Sequence, residues 1–422
     1  MRILLHDYSG HPFQVELSRE LARRGHRVTH SYCPAWPSGK GHLVAEPGET
    51  LVFDPVGPTE AIDKSRFVRR LWLDLVVGWE LLRQVRRTKA DVAMLSNAQV
   101  PTLVVFALGM VLLRRPWVLW HQDVYAVALR SFAGGGKLGR KFAVVAAAFE
   151  IAEKWTSRRA AAIVAIAEAM VGVHEQWGTA HKTTVIPNWA PLDEIVPVAR
   201  HNAWSAEHGL DDVTTLLYSG TLGLKHNPEL LVQLAEAVRR AGRPVRLVVV
   251  NTGPAEEVLR QEAARLGVDL VLLPFQPYER LPEVLGSGDL LVVLLEQDAG
   301  AFSVPSKTLS YLCAGRPILG LMPSENLAAS LIEEVGGAVL APVPASVDAA
   351  GAWAAALLED PERCAVIGKE ARSLAESEFA LGAIADRFEA ILVGASVGAG
   401  AASVAGAAGA GRGPGAEGGG AR

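Results

Sequence analysis

The stretch TTLLYSGTLGLKHNPELLVQLAEAVRRAG, residues 214–242, decides the fold class of this chain. Its first segment, TTLLYSG, has the composition of a short buried strand that ends in a turn glycine. The segment NPELLVQLAEAVRRAG repeats apolar residues at the spacing of one helix face and stops at a glycine. A buried strand followed closely by an amphipathic helix predicts one βα unit of a parallel sheet.

The same alternation extends in both directions from this stretch. Downstream, the alternation continues in the segments VRLVVVNTG, EEVLRQEAARLG, VDLVLLP and DLLVVLLE. Upstream, an earlier run consists of RILLHDY, VELSRELARRG, HRVTHSYC, VAML, WVLWHQD and AAIVAIA. A joint that contains proline and tryptophan, VIPNWAPLDEIVP at residues 185–197, separates the two runs. We therefore predict an α/β protein with two doubly wound, Rossmann-like domains that face a cleft.

The boundaries follow from this pattern. We predict an N-terminal domain at residues 1–190 and a C-terminal domain at 191–378. A helix over 379–393 could return to the N-terminal domain. Residues 394–422 are rich in Ala and Gly, and because such a composition cannot bury an apolar core, we predict a disordered tail there.

Cysteine use and the first residues bear on the compartment. Cys33, Cys313 and Cys364 lie far apart and form no CxxC pair, so neither a disulfide framework nor a zinc site is expected. The chain opens with MRILLHD, which has the pattern of a strand rather than of a secretion signal. We therefore expect a cytoplasmic protein.

The charge is divided unevenly between the two halves. Residues 1–190 carry 24 Lys and Arg against 16 Asp and Glu, a net charge of +8, whereas the rest of the chain has a net charge of −12. A basic half favours a polyanionic neighbour such as anionic lipid, and scattered solvated charge is the alternative. The uncharged segment 92–113 is interrupted by SNAQVP, so we expect a core helix or a helix dipping into one leaflet, not a transmembrane span.

Four loops of the second half have the residues of a phosphate site. Ligands of doubly wound sheets bind where strands end and helices begin, and helix starts bind anions through free N–H groups. The predicted donor-binding residues are Gly220, Thr221, Gly253, Ser303, Val304, Pro305, Ser306, Lys307 and Ser310, with Lys225 as a fixed cation. The chain contains neither GxxxxGKS/T nor a first-strand GxGxxG nor HExxH, which argues against P-loop, dinucleotide and zinc sites.

Several motifs together resemble a known family. WHQDVY (120–125), AIAEAM with VIPNW (165–189), YSGTLGLKHN (218–227), TGP (252–254) and SVPSKTLSYLCAGRPIL (303–319) are similar to retaining GT-B glycosyltransferases of family 4. The closest resemblance is to the bacterial surface-polysaccharide branch with colanic-acid and fucosamine transferases, and it covers roughly residues 1–390. It implies a C-terminal domain that binds a nucleotide-diphosphate sugar and an N-terminal domain that binds a glycan or polyprenyl-linked acceptor. It also implies retention, no cofactor and no catalytic metal.

The resemblance assigns residues and shows departures. Many members have two glutamates where this chain has Phe302 and Ser310, and Glu296 or Asp298 could substitute. Lys225 would stabilise the leaving phosphate. In the same loop many relatives also have an arginine, at the position where this chain has Thr221.

In the N-terminal half, the resemblance implies that His121 or Asp123 contacts the sugar hydroxyls. A histidine satisfied within a strand-end turn is the alternative for His121. Gly10 and His11, with His6, are expected on the acceptor side, and Asn188 and Trp189 in the interdomain joint.

The sequence thus favours a cytoplasmic glycosyltransferase with peripheral contact to the inner face of the cell membrane and no nucleic-acid partner. A sugar-nucleotide epimerase of the same fold is one alternative, which donor turnover without an acceptor would indicate. A non-catalytic partner subunit is the other, which nucleotide binding without transfer or hydrolysis would indicate.

Overall fold

The computed structural model describes residues 1–36, 42–59, 67–127, 129, 140–223, 226–253, 255–297 and 305–409. Two sheets organise these residues, and every strand pair in both sheets is parallel. Parallel neighbours require crossover connections, which place helices on the sheet faces. The predicted α/β class with two Rossmann-like sheets is confirmed.

The first sheet has seven strands in the order β3-β2-β1-β4-β5-β6-β7. The strands are Arg2–Asp7 (β1), Arg27–Ser31 (β2), Leu51–Phe53 (β3), Val92–Ser96 (β4), Trp117–His121 (β5), Ala162–Ala165 (β6) and Thr183–Val185 (β7). The order reverses beside β1, since β1 pairs with both β2 and β4. Ligands of such sheets bind outside the carboxyl ends of the strands at this reversal.

Helices cover both faces of the first sheet. They are Pro12–Arg23 (α1), Phe67–Thr88 (α2), Val100–Leu113 (α3), Arg140–Arg159 (α4) and Val171–Trp177 (α5). On one face, Leu81 of α2 and Phe106 of α3 are buried with Trp117 of β5, and α4 packs along α3. On the other face, Leu17 of α1 is buried with Trp120 of β5. The outer surfaces of α2, α3 and α4 therefore lie on the same side of this domain.

The second sheet has six strands in the order β10-β9-β8-β11-β12-β13. The strands are Thr215–Ser219 (β8), Arg246–Val250 (β9), Asp269–Leu273 (β10), Leu290–Leu294 (β11), Ile318–Leu321 (β12) and Ala338–Leu340 (β13). The helices around it are Ala203–Glu207 (α6), Glu229–Arg240 (α7), Ala255–Leu266 (α8), Leu281–Gly286 (α9), Lys307–Ala314 (α10), Leu327–Glu334 (α11), Val347–Leu358 (α12) and Pro361–Glu378 (α13). The order again reverses at β8, where the quoted stretch begins.

The last helix, Leu381–Gly409 (α14), packs against the first sheet rather than the second. The Phe388 ring centroid lies 4.7 Å from that of Trp120, and Ile384 and Leu392 are buried in the same core. The helix extends to Gly409, and the disorder predicted for residues 394–422 stays a prediction. Residues 410–422 of the predicted tail lie outside the described residues.

The apolar helix α3 is a covering helix of the first sheet. Its buried residues include Leu103, Phe106 and Met110, whereas Leu108 and Leu112 are exposed. Over the described part of the chain, no helix combines the length and the apolar character needed to cross a bilayer.

Candidate functional site

A cavity of about 590 Å³ lies between helix α1 and the carboxyl edge of the second sheet. Its N-terminal wall is the first turn of α1, with Pro12, Phe13 and Glu16. Its C-terminal wall contains the ends of β8 and β9, the 275–281 segment and the start of α10. The residues of this wall include Ser219, Gly220, Thr221, His226, Val250, Phe275, Gln276, Tyr278, Leu281, Pro305, Ser306, Lys307, Ser310 and Tyr311. We call it the donor cavity.

A tight turn after β8 forms the floor of the donor cavity. Gly220 has a φ of +141°, a region that strongly favours glycine. Its N–H donates to the Val250 carbonyl over 2.9 Å, which ties the turn to β9. A Cβ at Gly220 would lie 3.1 Å from both Cε and Nζ of Lys307. Glycine therefore allows the turn and the first residue of α10 to approach each other closely.

Lys307 lies against an aromatic ring and not against a carboxylate. Its Nζ lies 3.8 Å from the Tyr218 ring centroid and donates a hydrogen bond to the Tyr218 hydroxyl. Burial lowers the pKa of Lys307 to about 7, because desolvation disfavours the ammonium. Among the described residues, Lys307 forms no ion pair. An unpaired cation in the wall of a cavity is suited to an anionic ligand.

A second tyrosine holds the strand end next to the glycine turn. The Tyr311 hydroxyl accepts the Ser219 N–H over 2.9 Å and donates to the Ser219 carbonyl over 3.2 Å. Both backbone polar groups of the last residue of β8 are thus fixed by a side chain of α10. The contact holds the glycine turn in register with the start of that helix.

The start of α10 is directed at the donor cavity. Pro305 and Ser306 precede the helix, and Lys307 is its first residue. The N–H groups of Thr308 and Leu309 donate to carbonyls of the preceding turn over 3.0 and 3.1 Å, and the partial positive charge of the helix start attracts negative charge. Ser306 and Ser310 also line the cavity and add hydroxyl groups. Such an arrangement can bind a phosphate group.

One carboxyl group of the N-terminal domain faces the donor cavity. Glu16 accepts a hydrogen bond from Trp189 Nε1 over 2.5 Å. Burial, together with the nearby Glu194 carboxyl that shares a hydrogen bond with it, raises the pKa of Glu16 to about 8. Burial raises the pKa of Tyr278, which lies on the opposite wall, and the nearby charges of Glu194 and Glu16 add to this rise. At neutral pH, Glu16 is therefore largely protonated and can donate a hydrogen bond.

The structure brings most of the predicted donor-binding residues together. Gly220, Thr221, Pro305, Ser306, Lys307 and Ser310 all line the donor cavity. Gly253 has a φ of +140° at the turn after β9 but is not part of the lining. Ser303, Val304, Lys225, Phe302 and Asp298 lie outside the described residues. Glu296 follows β11 and does not line the cavity.

His121 does not reach the donor cavity. It is 5% exposed, and its Nδ1 lies 3.3 Å from His174 Nε2. Its Nε2 lies 3.9 Å from the buried carboxylate of Glu153. His174 is held in turn by Thr179, and burial, with the neighbouring His121, lowers the pKa of His174 to about 3. The arrangement matches the alternative of a histidine satisfied at a strand end.

Of the other predicted residues of the N-terminal half, Gly10 and His11 adjoin the cavity wall, whereas Asp123 and His6 are not part of the lining. Gly10, with a φ of +72°, and His11 lead directly into Pro12 of the lining. The His11 N–H donates to Asp7 over 2.5 Å, which fixes the start of α1. Asp123 is exposed after β5, and His6 is buried against Ser31.

Among the residues that sequence reasoning missed are Glu16, Tyr278 and Tyr311 of the cavity lining, and Tyr218, which contacts Lys307. Helical spacing contained a signal for two of them. Tyr311 follows Lys307 by four residues and Glu16 follows Pro12 by four, so each pair shares one helix face. Over the described residues, no group of three or more potential metal-ligating side chains is close enough to hold an ion.

Comparisons with known proteins agree with this geometry. A family model described as Glycosyltransferase Family 4 matches residues 13–194, and one described as Glycosyl transferases group 1 matches residues 201–374. The chain is 27% identical over 354 residues to the putative colanic acid biosynthesis glycosyl transferase WcaI of Escherichia coli. That alignment covers 79% of this chain and 84% of WcaI.

Two solved structures have the same fold over 93% of this chain. HepE of Anabaena in complex with UDP has a TM-score of 0.67 at 17% identity, with its whole chain covered. WaaG, a glycosyltransferase involved in lipopolysaccharide biosynthesis, has a TM-score of 0.66 at 15% identity, also with its whole chain covered. The resemblance predicted from the sequence is therefore confirmed for the family and for the fold.

Proposed function

Because the chain belongs to the family 4 glycosyltransferases with the GT-B architecture, we propose that it moves a sugar from a nucleotide-diphosphate sugar to a cell-surface polysaccharide or polyprenyl-linked glycan, with retention. One observation carries the proposal. The Lys307 ammonium, the glycine turn at Gly220 and the start of α10 converge on one cavity between the two domains. That combination fits the diphosphate of a donor.

Stabilisation of the leaving group is the main task for such a site. As the bond between the sugar carbon and the β-phosphate oxygen breaks, the diphosphate gains negative charge. Lys307 and the positive end of the α10 dipole would stabilise that charge as preorganised electrostatic groups. Lys225, outside the described residues, is proposed as a second cation. The proposal includes catalysis without a metal ion, and retention of activity in EDTA would support that part.

The acceptor side of the proposal rests on α1. The acceptor hydroxyl would attack the sugar carbon on the face that the diphosphate leaves, and its proton would pass to the departing phosphate oxygen, so no enzyme nucleophile is needed. Phe13 offers an apolar surface and Glu16 a protonated carboxyl group at this side of the cavity. Both face the donor-binding wall and can position an acceptor.

Peripheral contact with the inner face of the membrane is also proposed. The outer face of α2, α3 and α4 exposes large apolar side chains, with Trp72 at 65%, Trp79 at 52%, Leu112 at 83% and Ile151 at 70% exposure. The exposed ionised side chains that are described on these helices and at their ends are all cations, namely Arg69, Arg83, Arg86, Arg87, Lys89, Arg114, Arg115, Arg158 and Arg159. Apolar residues surrounded by cations fit an anionic bilayer surface. We call this surface the α2–α4 face.

The test begins with a panel of nucleoside diphosphates. The correct nucleotide should raise the melting temperature by mass action, and UDP is the first to test because HepE was solved with it. The matching nucleotide sugar is then incubated with lipid-linked acceptors, and the anomeric configuration of the product is measured by NMR. A product of inverted configuration would contradict retention. Turnover of the donor sugar without an acceptor would favour an epimerase, and binding without transfer or hydrolysis a non-catalytic subunit.

A further inference from the structure

A second cavity of about 290 Å³ lies at the opposite edge of the C-terminal sheet. Thr214, Asp289 and Pro317 line it, and each directly precedes one of the neighbouring strands β8, β11 and β12. The cavity is therefore at the amino ends of the strands, whereas the donor cavity is at their carboxyl ends. Helix α10 connects the two edges: Lys307 lines the donor cavity, and Gly315 and Arg316, just after the helix, line the second. Eight helical residues span about 12 Å.

The lining of this second cavity carries an excess of positive charge. It contains three guanidinium groups, those of Arg200, Arg243 and Arg316, and one carboxylate, that of Asp289. Arg200 and Asp289 pair through two contacts of 2.8 and 3.0 Å. Asp360 precedes the lining residue Pro361 but is exposed and not part of the lining. Two of the three cations therefore have no carboxylate in the lining.

Two of the arginines also direct unused donors into buried positions. Arg200 Nη1 and Arg243 Nε are buried atoms without a hydrogen-bond partner among the described residues. Arg316 donates to the Val198 carbonyl over 3.0 Å, so it is held in place without losing its charge. Buried N–H groups of charged side chains normally have acceptors, because an unmatched donor is unfavourable. The cavity therefore combines an excess of positive charge with donors that have no acceptor.

We propose that this second cavity binds a phosphate group, either as inorganic phosphate or as the phosphate of a small monoester. A phosphate dianion would balance the two uncompensated arginines. Its oxygens would accept from Arg200 Nη1 and Arg243 Nε, since the planar guanidinium fork matches phosphate geometry. A volume of about 290 Å³ leaves room for a small organic part beside the phosphate. This site is separate from the donor cavity and does not depend on the proposed reaction.

The test measures phosphate binding by calorimetry and by melting temperature, with sodium chloride used to keep the ionic strength constant. The wild-type protein should show saturable binding. Arg243→Met should weaken the affinity for phosphate at least tenfold. Arg260→Met is the matched control, because Arg260 is an exposed arginine on α8 outside the cavity. Lys307→Met removes the cation of the donor cavity, and it should leave this binding unchanged.

Arg316→Met provides a second variant and should lose the binding in the same way. The melting temperature without phosphate reports whether each variant folds. Stronger binding of glycerol 3-phosphate than of inorganic phosphate would assign the site to a monoester, and the reverse to the free ion. Binding that is unsaturable, or equally strong in Arg243→Met and Arg316→Met as in the wild type, would overturn the proposal. So would loss of all binding in Lys307→Met, because the phosphate would then occupy the donor cavity.

Discussion

The Lys307 ammonium lies 3.8 Å from the Tyr218 ring centroid, so β8 and α10 meet through a cation and an aromatic face. The Tyr218 hydroxyl accepts from that ammonium and donates to the Thr221 carbonyl over 2.9 Å. A cation–π contact stabilises an ammonium without neutralising it, as a carboxylate would. The charge of Lys307 therefore remains available to a ligand, although burial makes the proton easier to lose.

The first prediction concerns the pH dependence of donor binding. In the free protein, the pKa of Lys307 is about 7, and a bound diphosphate should raise it because the opposite charge favours the ammonium. Above pH 7, Lys307 must therefore take up a proton when the nucleotide binds. The affinity for the nucleoside diphosphate should fall by up to about tenfold per pH unit from pH 7 to 9. Calorimetric titrations at several pH values measure this slope.

Lys307→Met is the control for this slope. Its affinity should be lower at pH 7 and nearly independent of pH between 7 and 9, because methionine cannot titrate. An equal slope in this variant and in the wild type would contradict the assignment of the titrating group to Lys307.

The second prediction concerns the glycine turn. Gly220→Ala should lower the free energy of unfolding by about 1–3 kcal/mol, since a side chain is strained at a φ of +141°. It should also weaken nucleotide binding, because the new Cβ would lie 3.1 Å from Lys307 Nζ and displace it. Gly253→Ala is a matched control, with a φ of +140° and open space around its Cβ. We expect similar destabilisation in both variants but reduced nucleotide affinity in Gly220→Ala alone; reduced affinity in both would place Gly253 in the site.

The fold, and the convergence of several predicted loops on one cavity, were predictable because they depend on local sequence. Strand periodicity, helix spacing and turn glycines are short-range signals, and the same loops that end strands bring Gly220 and Ser306 to one edge. The N-terminal half was less predictable. His121 ends a strand as expected, yet its neighbours His174 and Glu153 come from distant segments and hold it away from the donor cavity. A single sequence does not show which distant side chains satisfy a buried polar group.

The third prediction concerns the α2–α4 face. Replacing Trp72 and Trp79 together with Gln should reduce binding to vesicles that contain anionic lipid at least tenfold, about 1.4 kcal/mol, because both side chains would leave the bilayer interface. Binding of the wild type should fall with added salt, since each arginine near anionic lipid contributes about 1 kcal/mol. Co-sedimentation measures both effects.

Val366→Gln is the control for the double variant, because Val366 is 59% exposed on α13, away from this face. It should bind vesicles like the wild type. Equal binding of the wild type to neutral and anionic vesicles, or no binding to either, would contradict the membrane proposal. Concentration-dependent self-association that the double variant abolishes would instead indicate that a second copy covers this face.

The last prediction concerns Glu16 and the dependence of stability on pH. The folded-state pKa of Glu16 is about 8, against an ordinary value of 4.5. Between these two pH values the folded protein holds a proton that the unfolded chain has released, so this group makes the free energy of unfolding fall as pH rises from about 4.5 to about 8. Glutamine cannot ionise, but its carbonyl can still accept from Trp189 Nε1. Glu16→Gln should therefore fold normally and lose less stability over this range.

Urea unfolding of both proteins between pH 5 and 8 measures the effect. The difference in the free energy of unfolding should grow steadily in favour of Glu16→Gln as the pH rises. Glu194, Asp193 and Tyr278 face the same group and remain in both proteins, and because Glu194 shares a hydrogen bond with Glu16, the difference reports the titration of this pair of carboxyl groups. Glu359→Gln, an exposed substitution at the end of α12, should give a curve parallel to that of the wild type. Parallel curves for Glu16→Gln as well would show that Glu16 is ionised in the folded protein, and the proposed protonated carboxyl group beside the acceptor would then be wrong.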